Sequence, residues 1–171
     1  PWATASDIAY GPFAAHVFET PGTHVVVLEA TDGTETAIET IEIEVLDPDT
    51  FFGGPQTIAI SSGSFDGAPA GAMQVASLSA ARSFLSSTGM RNARFLFARG
   101  QSHDISGGAG SFAAGAFDNL QFGAFGAGAD PVLTGGGLRT EGDGFSGAVA
   151  VTGLDLQGGY DPATGSGAGA G

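Results

Sequence analysis

The pattern of apolar and polar positions changes character once along this chain. Ile41, Ile43 and Val45 alternate with Thr40, Glu42 and Glu44. That period of two predicts a strand with one buried face and one wet face. The preceding run, His24-Val25-Val26-Val27-Leu28-Glu29-Ala30, predicts a second strand, and Asp32-Gly33 is a hairpin signal joining it to a strand over residues 36–45. Ile38 is out of phase with Ile41, which predicts a bulge or a sheet edge. Upstream, Tyr10-Gly11-Pro12-Phe13 reads as a turn-like entry and Pro21-Gly22 as a turn between strands.

After Pro55 the apolar runs shorten and glycine punctuates them. Residues 57–60 predict a strand, and a Ser-, Gly- and Pro-rich loop follows over 61–71. Residues 77–87 predict a helix: Ser77 is a good N-cap, Leu78, Ala81 and Leu85 share a face beside Phe84, and Thr88-Gly89 ends it. Beyond it, short strands are predicted at 94–98, 103–105, 119–125, 131–133, 148–151 and 154–156. Glycine turns separate them and no crossover helices are available, so a single-layer coil of short parallel strands explains the spacing better than a doubly wound sheet.

The two halves also differ in charge. The first fifty residues hold ten acidic side chains and no basic one, whereas all five arginines follow Pro55. With the Asp47-Pro48-Asp49 break, this divides the 171 residues into a module at 1–47, a linker at 48–56 and a module at 57–171. Phe51-Phe52 is too apolar for a free linker and is expected to pack at a domain interface or cap the next core. A net charge of −13 without lysine repels a phosphate backbone, so nucleic acid is not an expected partner. Such a surface suits solubility, cation association and a saline or extracellular setting. Cysteine is absent, so disulfides play no part. No apolar run reaches about 18 residues, so no membrane span is expected. The chain opens on Pro1 without a signal peptide and reads as a processed product or a fragment.

Two resemblances follow. The run from His16 through Pro21-Gly22-Thr23 and the valines to Thr31-Asp32-Gly33 resembles the C-terminal half of a PKD-type domain, an immunoglobulin-like β-sandwich. The family's earlier Trp-Asp-Phe-Gly-Asp-Gly signature is missing, which places Trp2 in a loop after that strand and leaves a partial sandwich. The resemblance implies a spacer or interaction module of a secreted or cell-surface protein. Next, a strand, a Gly/Ser loop, a helix and Phe95-Leu96-Phe97-Ala98-Arg99-Gly100-Gln101-Ser102-His103 resemble the N-terminal entry of right-handed parallel β-helix proteins of the pectate-lyase-like superfamily. Phe122-Gly123-Ala124-Phe125-Gly126-Ala127-Gly128-Ala129-Asp130-Pro131-Val132-Leu133 is similar to an early-coil phrase there, and Val151-Thr152-Gly153-Leu154-Asp155-Leu156 to a following coil. The fold expected is therefore all-β: a partial sandwich, then the first coils of a β-helix plugged by the helix near 77–87. The glycine-rich run 165–171 is expected to be a truncated coil rather than a free tail.

Candidate chemistry is sparse. Three histidines lie far apart, no His-Glu-Xaa-Xaa-His occurs, the Gly63-Ser64 step lacks the nucleophile-elbow frame, and no helix is expected after Gly126-Ala127-Gly128. His16 and His24 read as structural histidines, with ligand roles the alternative, and Glu42 and Glu44 as a solvated face that discourages edge pairing. Arg99, His103 and Asp104, joined by Asp118, form the densest polar group and would line a groove for an acidic or neutral sugar. The alternative is a polar turn. Asp47 and Asp49 could bind calcium, against a reading as turn-forming aspartates, and Glu141-Gly142-Asp143-Gly144 is similar to Gly/Asp calcium turns without their tandem repeats. The function expected is an extracellular polysaccharide-associated protein whose β-helix binds or cleaves glycans. As an enzyme it would be a polysaccharide lyase or glycoside hydrolase with its catalytic residues largely outside this chain. The alternative is a non-catalytic structural or adhesive protein: a surface filament, an adhesin, or a phage fibre or spike, with self-association or another surface protein as partner.

Overall fold

The computed structural model describes residues 10, 11, 16, 18, 20–113, 116–141, 147–161 and 166–168, with 159–161 and 166–168 described through their backbone alone. Trp2, Pro12-Phe13 and Gly142-Asp143-Gly144 lie outside the described residues, as does much of the segment before Pro21. The fold is mostly β, and parallel sheets dominate its second part. Contacts divide the chain into two compact units, residues 1–51 and 52–171.

In the first unit, β1 (Gly22–Thr31) and β2 (Thr36–Val45) form an antiparallel hairpin. Asp32 closes it: its carboxylate accepts from the backbone N–H groups of Thr34 and Glu35, both at 2.8 Å. Those bonds hold its pKa below the ordinary carboxylate value. Register is unbroken from Gly22 opposite Val45 to Thr31 opposite Thr36, so there is no bulge at Ile38. Ile38 instead sits opposite Glu29, on the same face as Glu42 and Glu44. The other face carries His24, Val26 and Leu28 with Ile41 and Ile43. Much of this apolar surface stays in water; Leu28 is 61% and Ile41 57% exposed. Part of the expected linker is helical, as α1 (Pro48–Phe51). Asp47 caps it by accepting from Asp49 N–H at 2.8 Å, and Pro48 occupies the first helical position, where no N–H is needed.

The second unit opens with buried Phe52 and a 3-10 turn, Gly54–Gln56. Then come β3 (Thr57–Ile60), β4 (Met73–Val75) and α2 (Leu78–Thr88). Ser77 caps α2 by accepting from Ala80 N–H at 3.2 Å, and Gly89 ends it at φ 68°, a left-handed conformation that favours glycine. Two strand triplets follow: β5 (Asn92–Ala98), β6 (Ser102–Asp104) and β7 (Ser111–Ala113), then β8 (Asn119–Phe125), β9 (Val132–Thr134) and β10 (Arg139–Glu141). Next are β11 (Val149–Val151) and β12 (Asp155–Gln157). β13 (Gly159–Asp161) and β14 (Ser166–Ala168) form a small antiparallel hairpin, so part of the glycine-rich C-terminal run is a paired strand.

Corresponding strands of the triplets pair in parallel and in register. They form a five-stranded sheet ordered β11-β8-β5-β3-β4, a three-stranded sheet β12-β9-β6 and a pair β10-β7. Cross-strand hydrogen bonds between equivalent side chains and backbone groups span 27, 28 and 29 residues. Stacking puts like on like: Ile58, Phe95, Phe122 and Val151 occupy one row of the large sheet. The Phe95 and Phe122 rings stack at 5.1 Å, and Phe112 meets Phe122 edge-on at 5.2 Å. Leu78, Ala81 and Leu85 of α2 join this core together with Leu120 and Leu133. Each of the leucines, isoleucines and phenylalanines taken fully out of water contributes about 1.5–3 kcal/mol.

The large sheet is covered on its outer face too. Phe65, Ala68 and Ala72, from the segment between β3 and β4, pack on Ala59, Leu96, Ala98 and Phe125. This explains why six successive residues of β5 are buried, a pattern alternation alone does not produce.

Candidate functional site

Of the polar side chains singled out in the sequence, Arg99 stands in the turn after β5. Gly100, at φ 72°, turns the chain off the end of β5. The turn then bonds to its counterpart after β8: Arg99 N–H donates to Phe125 C=O at 3.0 Å and Gly100 N–H to Ala129 C=O at 2.8 Å. That docking brings the Arg99 guanidinium onto Asp130, which lies 31 residues further along the chain. Gly153, in the next turn of the stack, leaves room for the pair; a Cβ there would stand 3.3 Å from Arg99 Nη2. On the other side, Gln101 Oε1 accepts from Ser62 N–H at 3.0 Å, and its Nε2 donates to Ser61 Oγ at 2.9 Å. The cluster is thus a set of clasps between successive turns.

His103 faces inward. It is 7% exposed, sits in register with Leu133 and meets the Phe97 ring edge-on at 5.1 Å. The Ala98 carbonyl lies 3.4 Å from its Nε2, a long contact. Burial pushes its pKa below the ordinary imidazole value, and the Ala98 carbonyl only partly counters this. Asp104 points outward and accepts from Ser106 N–H at 2.8 Å; the hydrogen bonds from Ser106 hold its carboxyl below the usual range. Asp118 stands elsewhere. It precedes β8, whereas Arg99 follows β5, and the seven-residue strands between those ends span roughly 20 Å. Asp118 instead takes a two-pronged bond from Arg91, Nε to Oδ2 at 2.8 Å and Nη2 to Oδ1 at 2.6 Å, which lowers its pKa and raises that of Arg91. Of the four residues expected to share a groove, Arg99 stands in the turn after β5, Asp104 at the end of β6 against Ser106, His103 inside the core and Asp118 at the far strand end.

Asp47 is a helix cap, and among the described residues no group of three or more His, Asp or Glu side chains could hold a metal ion. Asp130 and Gln101, which define the clasps, were not singled out in the sequence. Only the strand register could have found Asp130 from Arg99. All five arginines meet protein partners: Arg82 the Gly108 carbonyl, Arg91 Asp118, Arg94 the Thr57 hydroxyl, Arg99 Asp130, and Arg139 both Ser111 and Glu141. On the outside of the three-stranded sheet Asp104, Thr134 and Gln157 form a row of carboxylate, hydroxyl and amide groups, while Val132 separates Ser102 from Asp155 in the parallel row. Such a row offers hydrogen bonds without a positive charge. Among the described residues no helix is long and apolar enough to cross a membrane. Comparison with family models, curated proteins and solved structures finds no match.

Proposed function

We propose that the chain is part of an extracellular or cell-surface protein associated with polysaccharide. In this reading the second unit is the start of a right-handed parallel β-helix, and the hairpin unit belongs to a PKD-like spacer module. The observation that carries it is the in-register stacking of parallel strands in three sheets, which aligns the polar row over Asp104, Thr134 and Gln157. A row of donors and acceptors at strand spacing suits the hydroxyl groups of an extended glycan. With every arginine engaged and a net charge of −13, a neutral glycan fits better than an acidic one. The test is affinity electrophoresis of the chain through gels containing neutral or acidic polysaccharides, with product analysis for cleavage. Retardation by a neutral polymer that Asp104→Ala and Gln157→Ala both weaken is expected. Equal mobility in every gel would overturn the glycan reading.

The second reading is a non-catalytic structural or adhesive role. Its support is that Arg99, Asp118 and His103 each serve packing or clasping contacts. Assembly of the chain into filaments without polysaccharide, seen by electron microscopy, would favour it.

A further inference from the structure

β6 is a short strand with an ionisable anchor. It is three residues long, lies at the end of the sheet ordered β12-β9-β6 and, among the described residues, pairs only with β9. Two backbone bonds fasten it there: Val132 N–H donates to the Gln101 carbonyl at 3.0 Å and Ile105 N–H to the Thr134 carbonyl at 2.8 Å. Alternation turns Ser102 and Asp104 outward, so His103 is the one side chain within β6 that enters the core. The inward position that Leu133 fills in β9 is filled in β6 by an imidazole. That ring meets the Phe97 ring at 5.1 Å, Leu133 across the register and the Ala98 carbonyl at 3.4 Å, and none of these ionises. Arg99 and Asp104, the charged residues nearest in the chain, are engaged with Asp130 and with Ser106. Among the described residues no charged side chain acts on His103. A neutral ring suits such a place, whereas an unpaired buried cation is strongly disfavoured.

We propose that β6 is an acid-released strand: protonation of His103 draws it from the core, frees β6 from β9 and carries Asp104 out of the polar row it forms with Thr134 and Gln157. The release of the strand stands on its own; release of a bound polymer rests on the polysaccharide reading. In the released strand the imidazole has its ordinary pKa of about 6.5, and in the closed strand burial holds it lower. Below about 6.5 the opening equilibrium therefore gains up to about tenfold for each pH unit, until the closed-strand value is reached. Asp104 stays ionised through that range, because the hydrogen bonds from Ser106 hold its carboxyl below the usual carboxylate values. The row is thus broken by displacing Asp104, not by neutralising it. An edge strand with one inward side chain opens locally while the longer β5 and β8 stay paired.

The test is amide hydrogen exchange of the whole chain at about pH 7 and about pH 5.5, corrected for the intrinsic pH dependence of exchange, on the unaltered protein, His103→Leu and His103→Phe. Protection at Ile105 and Val132 is expected to fall several-fold, up to about tenfold, at the lower pH while β5 and β8 keep theirs. Both variants should hold equal protection at the two pH values. Retardation in a gel containing a neutral polysaccharide should weaken at the lower pH for the unaltered protein alone. Constant protection in the unaltered protein overturns the proposal even where a variant fails to fold, and so does the same loss in a folded variant. Loss at β5 and β8 together with β6 overturns a local release. Retardation that ignores pH while protection falls overturns control of the site. No retardation at either pH overturns the polysaccharide reading, and exchange still decides the strand.

Discussion

Replacing Phe122 by alanine tests whether the stacked aromatic row holds the second unit together. Phe122 is 1% exposed, stacked on Phe95 with rings 13° from parallel and packed edge-on against Phe112. Loss of a buried phenylalanine costs about 3–5 kcal/mol through lost transfer energy and the cavity left behind. The existing 350 Å³ cavity beside the ring lets its neighbours relax into open space, which points to the lower end, about 3 kcal/mol. Each aromatic partner adds about 0.5–1.5 kcal/mol beyond area, so Phe95→Ala and Phe122→Ala should couple by about 1 kcal/mol in a double-mutant cycle. Urea denaturation followed by far-ultraviolet circular dichroism measures both. Val25→Ala, on the hairpin and 59% exposed, serves as the control and should change stability by less than about 0.5 kcal/mol. If Phe122→Ala shifts the midpoint no more than Val25→Ala, the row is not a shared core.

Two further outcomes come from the same packing. Gly110 has no left-handed backbone, yet a Cβ there would stand 2.2 Å from the Gly137 carbonyl oxygen; at Gly137 a Cβ meets nothing within 4 Å. Gly110→Ala should therefore cost about 1–3 kcal/mol by prising β7 from β10, while Gly137→Ala should be near neutral, and equal denaturation midpoints would contradict this. Burial lowers the pKa of His103, so on acidification the unfolded chain takes up its proton first. Its contribution is complete above an unfolded value of about 6.5 and declines as pH falls through that value toward the lower folded one. His103→Leu should flatten the stability curve between about pH 7 and 5, and an unchanged slope there would refute the assignment.

How much of this was legible in the residues depended on length and alternation. The strand over 119–125 could be read to its ends because Leu120, Phe122 and Phe125 stand among turn residues. β7 and β10 could not. Ser-Phe-Ala and Arg-Thr-Glu are too short to show a period, and they are strands because they pair with each other, Ser111 with Arg139. The helix was legible because its cap, its apolar face and its terminating glycine all agree. The site was legible least. Proximity in sequence grouped His103 with Asp104, although alternation along a strand puts them on opposite faces. Asp118 joined that group with no knowledge of register, and register places it at the other strand end.

The clasps explain why two of the few cations of so acidic a chain, Arg91 and Arg99, stand at the ends of β5. Parallel strands in register bring identical turn positions over one another, so like charges at equivalent sites would repel down the stack. Arg99 over Asp130 and Arg91 over Asp118 place opposite charges at successive levels instead. These pairs stand at the surface, where solvent screens them, so they are better understood as fixing register than as supplying stability. Hydrophobic rows supply the stability, because a slip by one residue would turn Phe95 and Phe122 out of the core and Arg94 and Gln121 into it. The acidic groups not needed for register are then left to the outer faces. There their charge favours cations and opposes polyanions.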